Sequence, residues 1–527
     1  MNLLLLIWIP LFTLLTVLLI KKEKAIKIVS LVGSGIQLFY SLVLIISYYQ
    51  YRAAGWKGEY LFEDKVSWFP ALNIHFSVGV DGISLIMIVL TALVVFTGIL
   101  VSWNVRTRIK EFFTLIILLS LGAYGFFIST NLFVLFFFLE LAVIPKYLLI
   151  GIWGSGKKEY SAMKLALMLM GGSALILLGL LGFYHYSGIF GHTSTWDIKD
   201  LAQITLPIEI QRVLYLLTFT GFGVFTALFP FHTWAPDGHS SAPTAASMFL
   251  AGISMKLGGY GCLRISTFLL PDAAQQLSWI YIILAAVAIL YGAFATMMQK
   301  DLKYMNAYSS VSHCGFVILG IAMLTRAGVM GAILQMVSHG VMTALFFAAI
   351  GMLYERTHTR IIGEMGGLMK PLPFIGSAFI VVGLCSLGLP GLSGFVAEAT
   401  VFIGSWERAG LLYRICSLGL PGLSGFVAEA TVFIGSWERA GLLYRIATLA
   451  ATASIVVTAV YILRALGATL WGTITHKEYT SLKDATWNEK AATFLLMSGI
   501  VVMGFFPFLF IQLLNNDVLI IMNNILK

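Results

Sequence analysis

Residues Leu216–Arg264 read LLTFTGFGVFTALFPFHTWAPDGHSSAPTAASMFLAGISMKLGGYGCLR, and the fold turns on how they are read. Two apolar helical runs meet at a polar hinge that gathers Pro230, His232, Trp234, Pro236, Asp237, His239 and Pro243. Proline has no backbone N–H to give and interrupts a helical ladder. Broken backbone at membrane depth survives only where it is buried in protein or lines a wet cavity. Beyond the hinge, Lys256 stands in the middle of an apolar helix. A lysine at the centre of a span costs roughly 2.5–3.5 kcal/mol on insertion scales, so it marks function by default. A broken helix beside a buried cation predicts an ion path.

Composition agrees with a membrane setting. Hydrophobic residues make up 59% of the 527 and charged residues only 11%, with a mean hydropathy of +0.92. Soluble domains carry about 25% charged residues. An apolar run of ~20 residues crosses a bilayer, and the pattern predicts an all-α polytopic protein with about fourteen transmembrane helices. They fall near 2–20, 28–48, 80–103, 112–129, 131–153, 161–184, 212–230, 245–268, 278–298, 305–324, 329–353, 373–404, 447–471 and 491–513. The first run lacks a basic flank before it and a small-residue cleavage site after it, and so reads as a retained span.

The net charge of +9 does not point to nucleic acid. Lys21, Lys22, Lys24 and Lys27, then Arg106, Arg108 and Lys110, then Lys157 and Lys158 follow alternate spans. So do Lys300 and Lys303, Arg356 and Arg360, and Lys477, Lys483 and Lys490. Basic loops face the cytoplasm, which leaves both termini outside. Cys262, Cys314, Cys385 and Cys416 show no metal-binding spacing. The chain reads as one transmembrane domain, 1–527. Within it, N-terminal spans (1–110), a first half (111–270), a second half (271–471) and a C-terminal span (472–527) follow one another.

Residues Cys385–Ile415, CSLGLPGLSGFVAEATVFIGSWERAGLLYRI, recur without a change as Cys416–Ile446. Structural repeats diverge and recur several times; one perfect copy fits a recent tandem duplication or an assembly error better. An extra crossing would move the lysine-bearing loop 471–490 to the wrong side, so one copy is expected to add no net crossing.

The ionisable residues inside the spans are few. Glu140 lies in NLFVLFFFLELAVIPKYLLIGIWG, about mid-span, where a carboxylate needs a nearby cation or gives up its charge. His313, in AYSSVSHCGF, and His339, in LQMVSHGVMTALFF, occupy adjacent spans among Ser309, Ser310, Ser312 and Ser338. That setting favours a relay over two packing histidines. Lys164 stands one turn into its span, and two readings remain open: snorkelling to water, or the mouth of a path. Glu398 and its copy Glu429 follow LGLPGLSGF, where Gly and Pro390 mark a second interrupted helix. Interrupted helices in corresponding halves point to an inverted-repeat transporter. For Asp237 and His239 at the hinge, capping of freed helix ends is the preferred reading.

At these residues the chain resembles the antiporter-like membrane subunits of respiratory complex I, and among them the chain M branch. The resemblance rests on GVDGISL at 79–85, the Glu140 segment through VIPKY, and PFHTWAPDGHSSAPTAASMFLAGISMKLGGYG at 230–261. DLKYMNAYSSVSHCGF at 301–316, QMVSHG at 335–340 and LGLPGLSGFVAEA at 387–399 extend it. It implies a half-channel glutamate at Glu140, a central lysine at Lys256, linking histidines at His313 and His339, and an exit glutamate at Glu398 or Glu429. It also implies proton pumping driven by electron transfer in partner subunits. NADH, FMN, iron–sulfur clusters and quinone would belong to those partners, with no cofactor or redox centre in this chain. Chain L- and N-type membrane subunits and the bilayer would be its direct neighbours, the peripheral arm an indirect one. A cation/proton antiporter subunit of the Mrp type is the alternative, and a non-pumping structural subunit a third reading. One departure stands out. The family usually carries a lysine five residues before the proline of the PFHTW-like motif; here that residue is Phe225, and the neighbouring helix-breaking proline is Ala227. Glu140 is then expected to lack its usual partner, with Lys164 or Lys256 as substitutes.

Overall fold

The computed structural model describes residues 1–56, 58–407 and 442–525. Helices α1 (Leu5–Leu19) and α2 (Glu23–Ala53) come first, followed by a hairpin of β1 (Leu61–Phe69) and β2 (Ile74–Val80). Then come α3 (Gly82–Val101), α4 (Ile109–Ile128), α5 (Leu132–Leu141), α6 (Val143–Trp153) and α7 (Lys158–Phe190). The short α8 (Ile198–Leu201) precedes α9 (Ile208–Phe225), α10 (Trp234–Ser241), α11 (Thr244–Phe249), α12 (Met255–Gly261) and α13 (Pro271–Met297). Last are α14 (Leu302–Ala322), α15 (Arg326–Thr357), α16 (Pro373–Ser386), α17 (Ser393–Glu407), α18 (Leu442–Leu470), α19 (Trp487–Phe505) and α20 (Pro507–Ile525). Ten of the described helical stretches are long and apolar enough to cross a membrane, and α1 and α16 are shorter apolar helices.

Local chemistry sets the helix ends. Asp81 caps α3 by accepting from the Ser84 N–H, while the Ser84 hydroxyl oxygen accepts from the Asp81 N–H, a reciprocal box. Asn131 caps α5, Asp301 caps α14 and Thr325 caps α15 by the same side-chain acceptance. Asp81 also pairs with Arg264, both fully buried.

Contacts divide the chain into two compact units. The first holds Met1–Thr226, Asp237–Ala274 and Asn523–Lys527; the second holds Ala227–Pro236 and Gln275–Met522. In the first, α7 packs on α9, α2 on α3, α1 on α4, and α9 on α12. In the second, α15 is the central element, buried along its apolar length and packed by α14, α16, α17 and α19.

Four features depart from the apolar-run reading. The hairpin interrupts the helices, with Leu61 paired to Val80 and Ser67 to His75 and the outer face of β1 exposed. The run 131–153 is two helices joined at Ala142, because Pro145 cannot donate to the carbonyl four residues back. The run 491–513 is likewise two, cut where α19 ends at Phe505 and Pro507 opens α20. The repeat is shared between elements: α16 ends and α17 lies in the first copy, whereas Leu442–Ile446 of the second copy open α18. Glu429 and Cys416 lie outside the described residues.

Candidate functional site

In the first unit, the Glu140 side chain is half-buried at the end of α5 and accepts a hydrogen bond from Ser173 of α7. Ser173 reaches it beside a close backbone approach of α7 and α9. A Cβ on Gly172 would stand 3.0 Å from the Gly221 carbonyl oxygen, and one on Gly221 would stand 2.8 Å from that of Gly172. Across the Ala142 bend, Lys146 is 0% exposed. Its ammonium lies 5.9 Å from the centre of the Phe225 ring at the end of α9. Cation–π attraction operates to about 6 Å. The charges of Lys146 and Glu140 act on one another.

Lys256, 1% exposed, occupies α12 between two π-helical segments, Leu250–Ser254 and Cys262–Thr267. π-turns often mark functional sites, and here the wider turn presents a carbonyl to the side chain. The Lys256 ammonium donates to the Ala251 carbonyl at 2.5 Å, five residues back. Gly258 lets this segment press on the end of α9, since a Cβ there would stand 2.5 Å from the Phe222 carbonyl oxygen. The Lys256 charge also acts on His239 of α10, which is wholly buried. Asp237, in the first turn of α10, forms an ion pair with Lys164 at 2.7 Å, each about a quarter exposed. That pair gives Lys164 a partner at the hinge.

After Phe225 the chain leaves the helix, with Ala227 at φ +59°, and re-enters at Trp234. His232 belongs to the second unit, stacked on Phe229 at 5.5 Å and edge-on to Tyr291 at 4.9 Å. Pro243 ends the hinge just before α11.

In the second unit, the residues expected for a relay converge. The Glu398 carboxylate stands 3.2 Å from His313 Nδ1, both side chains under a tenth exposed. Gln335 contacts the same nitrogen at 3.2 Å, and His313 Nε2 lies 3.3 Å from the Ser386 hydroxyl. Ser386 also bonds to Tyr461, whose hydroxyl meets Ser309 at 2.9 Å. The rings of His313 and His339 are 5.4 Å apart, and His339 Nδ1 is 3.9 Å from Cys314 Sγ. The break around Pro390, between α16 and α17, makes room for this. Gly388 has φ +78°, and a Cβ there would stand 3.0 Å from Glu398 Oε2, so only glycine fits both constraints.

An imidazole with a partner at each nitrogen accepts a proton on one side and releases one on the other. The orphaned buried atoms nearby, Gln335 Oε1 and both side-chain polar atoms of Asn306, are of the kind that ordered water satisfies. Lys146 is the residue that the sequence reading passed over. It stands in VIPKY next to a proline and a tyrosine, which reads as an ordinary interfacial lysine.

The chain is similar to known proteins along most of its length. Residues 129–418 match the family described as NADH:quinone oxidoreductase/Mrp antiporter, TM. NADH-quinone oxidoreductase subunit M of Rickettsia conorii is 33% identical over 509 residues, covering 95% of this chain and 94% of that protein. NAD(P)H-quinone oxidoreductase chain 4-2 of Synechocystis sp. is 42% identical over 342 residues, 65% of this chain. The matched part spans 60% of the length of that relative and 61% of its counterpart from Microcystis aeruginosa. A chain of respiratory complex I from Thermus thermophilus superposes with a TM-score of 0.84 at 25% identity, over 99% of each chain. A chain of the Mrp complex from Dietzia sp. shares the fold, with a TM-score of 0.80 at 18% identity over 100% and 99%. The chain is a multi-pass membrane protein, and it belongs to the NADH:quinone oxidoreductase/Mrp antiporter transmembrane family.

Proposed function

We propose that this chain is a proton-translocating membrane subunit of a respiratory NADH–quinone oxidoreductase, of the subunit M type. Its partners would be further antiporter-like membrane subunits of the chain L and N types, in a bacterial cytoplasmic membrane. The basic loops would face the cytoplasm and both termini the periplasm, as the positive-inside bias favours. NADH, FMN, iron–sulfur clusters and quinone would be held by the partners, and electron transfer there would change the protonation of groups here.

The observation that carries this reading is the buried Glu398–His313–Ser386–Tyr461 chain at a glycine-made helix break. A proton given by the Glu398 carboxyl to His313 Nδ1 frees the Nε2 proton for Ser386, and the ring resets when the amide and hydroxyls reorient. The first unit has titratable groups of its own: the half-buried Glu140, which accepts from Ser173, and the buried Lys256, which donates to the Ala251 carbonyl. Relatives that match at 33–42% identity carry oxidoreductase names, which supports complex I over an antiporter.

Lys256→Met should lower NADH-driven proton uptake by inside-out vesicles at least tenfold while the assembled complex is retained. Wild-type pumping stoichiometry in that variant would remove the proposal. The Mrp-type reading, kept because the family and the fold embrace both, predicts a complex purified without flavin or iron–sulfur subunits.

A further inference from the structure

Among the described residues, Lys146 carries the one lysine ammonium that is buried and without a hydrogen-bond acceptor. Its setting is specific. Glu140 lies at the end of α5 and Lys146 in the first turn of α6, on either side of Ala142. From α6 the lysine reaches across to the last residue of α9, where the Phe225 ring, itself wholly buried, lies 5.9 Å from its ammonium. Among the described residues, Glu140 is the one ionisable group whose charge acts on Lys146. On its other side, Glu140 is held by Ser173. A π face and a carboxylate at longer range hold a cation without consuming its protons, whereas a direct salt bridge would lock them.

We propose that Lys146 is the proton-exchanging partner of Glu140, and that Phe225 is the platform that positions its ammonium. The exchange is a plain proton transfer: one N–H proton of the ammonium goes to the Glu140 carboxylate, leaving a neutral amine and a carboxylic acid. The reverse transfer restores the charged pair. This deepens the function proposed above and rests on it.

Three variants in the full complex test it, with proton uptake by inside-out vesicles and labelling of Glu140 by a hydrophobic carbodiimide as readouts. The reagent attacks neutral carboxyls, and its adduct on the Glu140 peptide is counted by mass spectrometry without turnover. Lys146→Met should cut pumping at least fivefold and raise Glu140 labelling at least threefold. In the Lys146→Met/Phe225→Lys double variant, a lysine from α9 brings a cation into the same space, and both readouts should return to within twofold of wild type. Glu140→Gln is the control for the path. Wild-type pumping and labelling in Lys146→Met, alongside a defective Glu140→Gln, would overturn the pairing and leave the function standing. A pumping loss with unchanged labelling and no rescue would mark a packing defect and overturn it equally. Normal pumping in Glu140→Gln would also overturn the pairing, and normal pumping in Lys256→Met, the variant introduced above, would overturn the underlying function.

Discussion

Two glutamates in identical sequence contexts, Glu398 and Glu429, have different prospects. Glu398 is buried against His313 at a break that Gly388 keeps open. Glu398→Gln should therefore lower proton uptake at least tenfold, whereas Glu429→Gln should leave it within twofold. Equal losses would show that the two copies share the role. Glu140, Lys256, His313, His339 and Glu398 were legible in the sequence because a titratable group stands out in an apolar run. Their mutual distances were not legible: nothing in the spacing places Ser386 at His313 Nε2. Lys146 was hidden for a different reason. It stands seven residues before the end of the run 131–153, and spacing alone does not show that the folded chain leaves it wholly buried.

Apolar runs located the spans at the scale of elements because hydropathy averages over ~20 residues. The same averaging erased shorter features: the Ala142 bend, the cut before Pro507, and the hairpin, whose alternating LFEDKVSWF and IHFSVGV strands have a period of two. The repeat is an element-scale question with a direct answer. Because the copies are identical, removing either yields the same polypeptide, in which Glu407 is followed by three residues and then by the LLYRI that opens α18. A helix–helix connection of that length is ordinary. Deleting Cys416–Ile446 should leave assembly and proton uptake at least at the full-length level. A loss of either would show that the second copy has acquired a role.

Over the whole molecule, the family assignment rests on motifs spread across both units, and it was legible from the sequence. The contacts leave Asp237–Ala274 with the first unit and give Ala227–Pro236 to the second. Outside the membrane, burial pushes the Glu59 carboxyl above its ordinary value of 4.5, against the pull of Arg264. An acid raised in this way holds more protons folded than unfolded, so its contribution to stability falls as pH rises from 4.5 through the folded value. In detergent melts between about pH 4 and 8, wild type should lose thermal stability relative to Glu59→Gln as pH rises. Parallel curves would show that Glu59 does not couple to folding.

The two π-helical segments that bracket Lys256 also set its direction. Each holds an additional residue compared with an α-turn, and one residue amounts to about 100° of rotation about the axis. The lysine's bearing is thus out of phase with the helix that begins at Thr244. Were the first segment to relax to ordinary winding, the ammonium would swing by about a quarter-turn or more and leave the Ala251 oxygen behind. A helical wheel drawn from Thr244 onward therefore assigns this side chain to the wrong sector, and so does any alignment-free guess at its neighbours.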